Sequence, residues 1–124
     1  MDKYVYSAKV LSVYDGDTCT LLLDVGFNIH LKEKCRLYGL DTPEIRTKNK
    51  MEKELGLKTR NFVRELILKQ EIKVKTYKEG KFGRYLVDIY LDDGQKLNDL
   101  LIEMGYAKAY DGGKRSPWFG GDDE

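Results

Sequence analysis

Three short clusters hold residue types from which phosphate chemistry can be built. They are Asp15-Gly16-Asp17-Thr18, then Arg36 followed after four intervening residues by Asp41-Thr42-Pro43-Glu44, then Lys81-Phe82-Gly83-Arg84. Two carboxylates and a carbonyl can hold Ca²⁺, which takes about 6–8 oxygens, leaving positions for water and a substrate phosphate. A further carboxylate can position or deprotonate a water. Two arginines can grip phosphate oxygens bidentately and stabilise the charge that grows in the transition state. That inventory is what metal-assisted phosphodiester hydrolysis needs. Taken singly, each cluster also has a structural reading. Asp-Gly is a turn signal, Asp-Thr-Pro-Glu reads equally as a helix cap, and a strand arginine is commonly a solvated surface pair. The chain carries no Ser-His-Asp set, Walker phosphate loop or zinc-ligand pattern.

These clusters need elements to hold them at one place. Residues 4–14 mix Val and Tyr without a helix breaker and read as a strand, 18–23 as a second and 30–38 as a third. Asp15-Gly16-Asp17 makes the first turn, and Gly26-Phe27-Asn28 suggests a hairpin between the second and third strands. Phe62, Val63, Leu66 and Ile67 form one apolar helical face. Gly56 weakens the start of that helix, which is expected from about Leu57 to Lys69. Residues 71–77 and 85–91 are the fourth and fifth strands. Leu97, Leu100, Leu101 and Met104 fall on one side of a short helix closed by Gly105. The order predicts an α+β, mainly β chain: a five-stranded Greek-key barrel of the oligonucleotide-binding type (OB-fold). It carries one helix after strand three and a short one after strand five. The domain is expected over 1–110, with a Gly-rich and acidic tail at 111–124.

With 124 residues, 41% hydrophobic and 35% charged, the chain suits one globular domain and argues against disorder. No apolar run approaches the roughly 20 residues of a membrane span. Residues 1–6 lack a basic region followed by an apolar stretch, so the expected location is cytoplasmic. Cys19 and Cys35 are too few for a disulfide framework or a four-thiolate zinc site, and are expected to stay reduced. His30 is the one histidine. Net charge is +1, yet residues 32–60 hold nine Lys/Arg against five Asp/Glu, and 69–84 hold six against two. A mid-chain cationic concentration permits a phosphate-binding face.

In this order and strand context the motifs resemble the staphylococcal nuclease (thermonuclease-like) family of Ca²⁺-dependent nucleases. The likeness runs from about Lys9 to Lys108. It is carried by Tyr14-Asp-Gly-Asp-Thr18, by Arg36-Leu-Tyr-Gly-Leu-Asp-Thr-Pro-Glu44 and by Lys81-Phe-Gly-Arg84. The resemblance implies one Ca²⁺ held by the Asp17 and Asp41 carboxylates and the Thr42 carbonyl. It implies that Glu44 orients or activates water, and that Arg36 and Arg84 stabilise the phosphorane transition state. The expected substrates are single-stranded or duplex DNA and RNA, cut at the P–O5′ bond to leave 3′-phosphates. Lys81, Phe82, Tyr106 and Tyr110 would lie near the nucleotide. Phe82 stands where the family usually has Tyr, so a hydroxyl contact is lost while stacking remains available. The 17–36 hairpin is longer than the family prototype's, and residues 112–124 do not supply the prototype's long C-terminal helix. No membrane and no obligate protein partner are implied, and a monomer is expected. The alternative is a catalytically silent barrel that binds nucleic acid or protein.

Overall fold

The computed structural model describes residues 3–79 and 83–119. Alternating apolar residues drive β1 (Val5–Asp15), β2 (Thr18–Asp24) and β3 (His30–Leu37) into an antiparallel meander. A two-residue β4 (Leu40–Asp41) follows, then α1 (Lys50–Ile67), β5 (Glu71–Glu79) and β6 (Tyr85–Tyr90). Finally come α2 (Leu97–Glu103) and β7 (Lys108–Ala109), the latter paired antiparallel with β4. The barrel closes in the order β1-β2-β3-β6-β5, and the β3–β6 seam is parallel. This is the expected OB-like barrel, with its helices where the sequence places them. Inside lie Val10, Leu21, Val74, Val87 and Ile89, with Leu97 and Leu101 of α2 over one end. Among the described residues no helix is long and apolar enough to cross a membrane.

One boundary differs from expectation. Helix α1 begins at Lys50 rather than near Leu57, because Asn49 caps it by accepting from the Glu52 amide at 3.0 Å. The cap therefore lies past Asp41-Thr42-Pro43-Glu44, which stays outside the helix, Asp41 ending β4 and the other three in the loop after it. Gly56, read as a weakness, is a packing requirement. A Cβ there would sit 2.9 Å from the carbonyl oxygens of Pro43 and Glu44. Helix α1 is bolted to β1 by Arg64, whose Nε and Nη2 both donate to Val13 O, at 3.2 and 2.9 Å. Cys19 and Cys35 pair across β2 and β3, and both are buried free thiols. Burial pushes the Cys35 thiol up to about 12 and raises Cys19 further still, so neither is a ready thiolate.

Candidate active site

The turn after β1 is shaped by its own side chains. Asp15 Oδ1 accepts from the Asp17 amide at 3.1 Å, and Gly16 lies where a Cβ would strike Thr59 of α1 at 2.6 Å. The turn is thus pressed between helix and loop. Burial, with the adjacent Asp17 carboxylate adding to it, pushes the Asp15 carboxyl up to about 7. Asp15 acts there as a turn acceptor, and Asp17 is the carboxylate aimed at the second cluster. Asp17 Oδ1 accepts from Thr18 Oγ1 at 3.0 Å, and its Oδ2 lies 3.4 Å from the Thr42 amide. The Leu37 amide donates to Asp17 O at 2.9 Å and ties this turn to the end of β3.

Strand β3 delivers Arg36 to the same point. Its Nη2 stands 3.6 Å from Asp17 Oδ2 and 3.4 Å from Asp41 Oδ1. Asp17, Asp41 and Thr42 are all buried, so these carboxylates need compensating charge or hydrogen bonds. Arg84, just before β6, reaches Thr18 Oγ1 with Nη1 at 3.5 Å. Glu44 projects from the loop with its side chain 44% exposed, while its amide is held by Glu52 Oε2 at 2.8 Å. Arg36, Glu44, Arg84 and Tyr110 line one cleft of about 660 Å³, walled by Leu37, Leu40 and Leu86. The Arg36 guanidinium lies over the Tyr110 ring, 5.5 Å from its centroid.

The Tyr106 ring packs on Phe62 of α1 with centroids 5.1 Å apart, against the core and off the lining of this cleft. In the turn after α2 the Tyr106 amide donates to Leu101 O at 2.9 Å. Lys81 and Phe82 lie outside the described residues. The sequence reading missed Arg115, in the stretch after β7. Its Nε donates to Asp41 Oδ2 and its Nη1 to Glu44 Oε1, both at 2.9 Å, and its Nη2 is 3.4 Å from Thr42 O. Burial works against this guanidinium's charge, but the Asp41 and Glu44 carboxylates outweigh it and raise its pKa. No helical or strand periodicity marks Arg115, so no sequence signal pointed to it. Glu52 was missed as well, although its place three residues after Asn49 is a signal that could have found it.

Among the described residues no group of three or more His, Cys, Asp or Glu side chains converges as a complete metal cage. The available donors are two carboxylates and a carbonyl, at Asp17, Asp41 and Thr42. That oxygen-only, incomplete set suits a hard cation that keeps positions for water and phosphate. Arg115 shows that some of these oxygens can turn onto one positive group.

The family profile described as Staphylococcal nuclease homologue matches residues 34–119. A thermonuclease of Staphylococcus intermedius is 31% identical over 105 residues, covering 83% of this chain and 59% of its own length. An uncharacterized protein of Methanocaldococcus jannaschii is 32% identical over 133 residues, covering 85% of this chain and 59% of its own. An uncharacterized endonuclease of Escherichia coli is 23% identical over 103 residues, covering 83% and 60%. The chain therefore spans about three-fifths of the length of the curated relatives it matches.

Proposed function

The chain belongs to the staphylococcal nuclease family, and from that premise we propose that it is a Ca²⁺-dependent phosphodiesterase acting on DNA and RNA. The observation that carries this reading is that Arg36, which lines one cleft with Glu44 and Arg84, also stands against both buried carboxylates, Asp17 and Asp41. Asp17, Asp41 and the Thr42 carbonyl would hold the ion, which when bound supplies a Lewis acid for a phosphate oxygen. Glu44, exposed at the rim, orients or deprotonates the attacking water. Arg36 and Arg84 bind the scissile phosphate and stabilise the charge of the pentavalent transition state, with hydrolysis at P–O5′ and a 3′-phosphate product. The buried floor fixes both Arg36 and the carboxylates before substrate arrives, so little reorganisation is needed during reaction. Leu86 and Tyr110 provide the apolar and aromatic walls for sugar and base. Lys81 and Phe82 are proposed as additional nucleotide contacts, and the protein as a monomer.

The test is cleavage of single-stranded DNA, duplex DNA and RNA in Ca²⁺ or EGTA, beside folded Glu44→Ala. Calcium-dependent cutting that leaves 3′-phosphates and is lost in the variant is the expected result. No cutting by the folded wild-type protein would transfer the reading to a silent binding barrel.

A further inference from the structure

Arg115 uses all three guanidinium nitrogens on oxygens of one site: Asp41 Oδ2, Glu44 Oε1 and Thr42 O. Two of those groups are proposed cation ligands and the third is the proposed water-activating carboxylate. A surface arginine pair is ordinarily worth little, because water screens both charges. Here the Asp41 side chain is only 6% exposed, so the contact is with a largely desolvated carboxylate. The planar fork also satisfies geometry that a point charge would not.

The arginine is delivered by a built path. Strand β7 pairs Lys108 with Asp41 and Ala109 with Leu40, so the chain leaves the barrel beside the site. The Tyr110 amide then donates to Gly39 O at 2.8 Å, and the Tyr110 hydroxyl to Gly113 O at 2.6 Å. Gly113 closes an Asx turn by donating to Asp111 Oδ1 at 2.9 Å. Beyond Arg115, the Lys108 ammonium lies 4.6 Å from the centre of the Trp118 ring and bonds Pro117 O. Residues 110–118 thus fold back over the strand that carries Asp41 and present one guanidinium to it.

We infer that Arg115 is a tethered cation that occupies the carboxylate site in competition with the metal, so that metal binding expels it and loosens the segment carrying Trp118. The inference rests on the Ca²⁺ reading above. Its physical basis is exclusion: the Asp41 carboxylate and Thr42 carbonyl cannot serve both cations closely, and the two positive charges repel. A protein whose site is competent only when Arg115 is out binds metal more weakly by the fraction of time it is out. The tail would thereby set the metal concentration at which the site fills.

Calcium titration by calorimetry of the wild-type chain, Arg115→Ala and Lys114→Ala tests this, with the fluorescence of Trp118, the only tryptophan, followed in parallel. The expected result is Ca²⁺ affinity about tenfold or more tighter in Arg115→Ala than in wild type. Lys114→Ala, which removes a neighbouring charge, should change affinity far less. Wild-type Trp118 emission should shift as Ca²⁺ saturates, and that shift should be small in Arg115→Ala. Equal or weaker affinity in Arg115→Ala, or equal tightening in Lys114→Ala, overturns the inference and leaves the metal reading standing. Absence of Ca²⁺ binding in all three folded proteins overturns both.

Discussion

Arg36 and Arg84 reach the cleft by different routes, and the difference sets what each can do. Arg36 spans two buried carboxylates at 3.4 and 3.6 Å, so it holds the floor together before any phosphate arrives. Arg84 reaches Thr18 Oγ1, the hydroxyl that also bonds Asp17. In the proposed reaction both would present guanidinium groups where the phosphate gains negative charge. Arg84→Ala and Arg36→Ala are each expected to lower the cleavage rate by about a hundredfold or more, the usual scale for losing one preorganised donor. Initial rates at saturating Ca²⁺, on variants shown by circular dichroism to be folded, check this. Wild-type turnover in either would remove that arginine from the mechanism. Arg36→Ala should also lower stability, because Asp17 and Asp41 would then be buried without it; Arg84→Ala should not to the same extent.

At the scale of elements, the site depends on how closely α1 approaches the loop that bears Glu44. Gly56 is inside the helix, where Ala is ordinarily favoured by about 1 kcal/mol. Propensity alone would make Gly56→Ala stabilising. The 2.9 Å distances from its Cβ position to Pro43 O and Glu44 O reverse that expectation, since backbone has to move. A shift of the loop carries Glu44 and the Thr42 carbonyl with it, and misplacement near one ångström can cost about a hundredfold in rate. Gly56→Ala is therefore expected to reduce cleavage by about tenfold or more without raising the melting temperature. Thermal unfolding and rate measurements on the same preparation decide it. A stabilised, fully active variant would show that the loop relaxes freely.

Over the whole molecule, the barrel and α2 are joined by a buried polar knot. Asn98 accepts from the Ile89 amide at 3.1 Å and donates toward Tyr38 O at 3.0 Å, while Asp88 Oδ2 accepts from the Tyr77 hydroxyl at 2.7 Å. That bond, more than desolvation, pushes the Tyr77 phenol from 10 up to about 12. A pKa raised by folding adds stability that is fully present below about pH 10. That stability is lost as pH rises toward 12. Denaturant midpoints are accordingly expected to fall between pH 10 and 12 more steeply in wild type than in Tyr77→Phe. Parallel curves for the two proteins would show that the phenol is not coupled to folding.

The sequence by itself determined the strand order, the two helices and the residues of the chemical clusters. Each of these is written locally: alternation makes strands, i, i+3, i+4 spacing makes helices, and Asp-Gly makes a turn. Asp17, Arg36, Asp41, Thr42, Glu44 and Arg84 could be singled out because each stands in a short motif at an element's edge. Only the tertiary structure decided what brings the motifs together. The parallel β3–β6 seam, the Arg64 bolt and the packing of Gly16 and Gly56 involve residues far apart in the chain. Tyr106 was expected near the nucleotide, and its packing on Phe62 against the core is visible only in the tertiary structure. Arg115 had no local signal at all. Its role comes from the β4–β7 pairing, which returns an irregular segment to the buried carboxylate of Asp41, about seventy residues earlier in the chain.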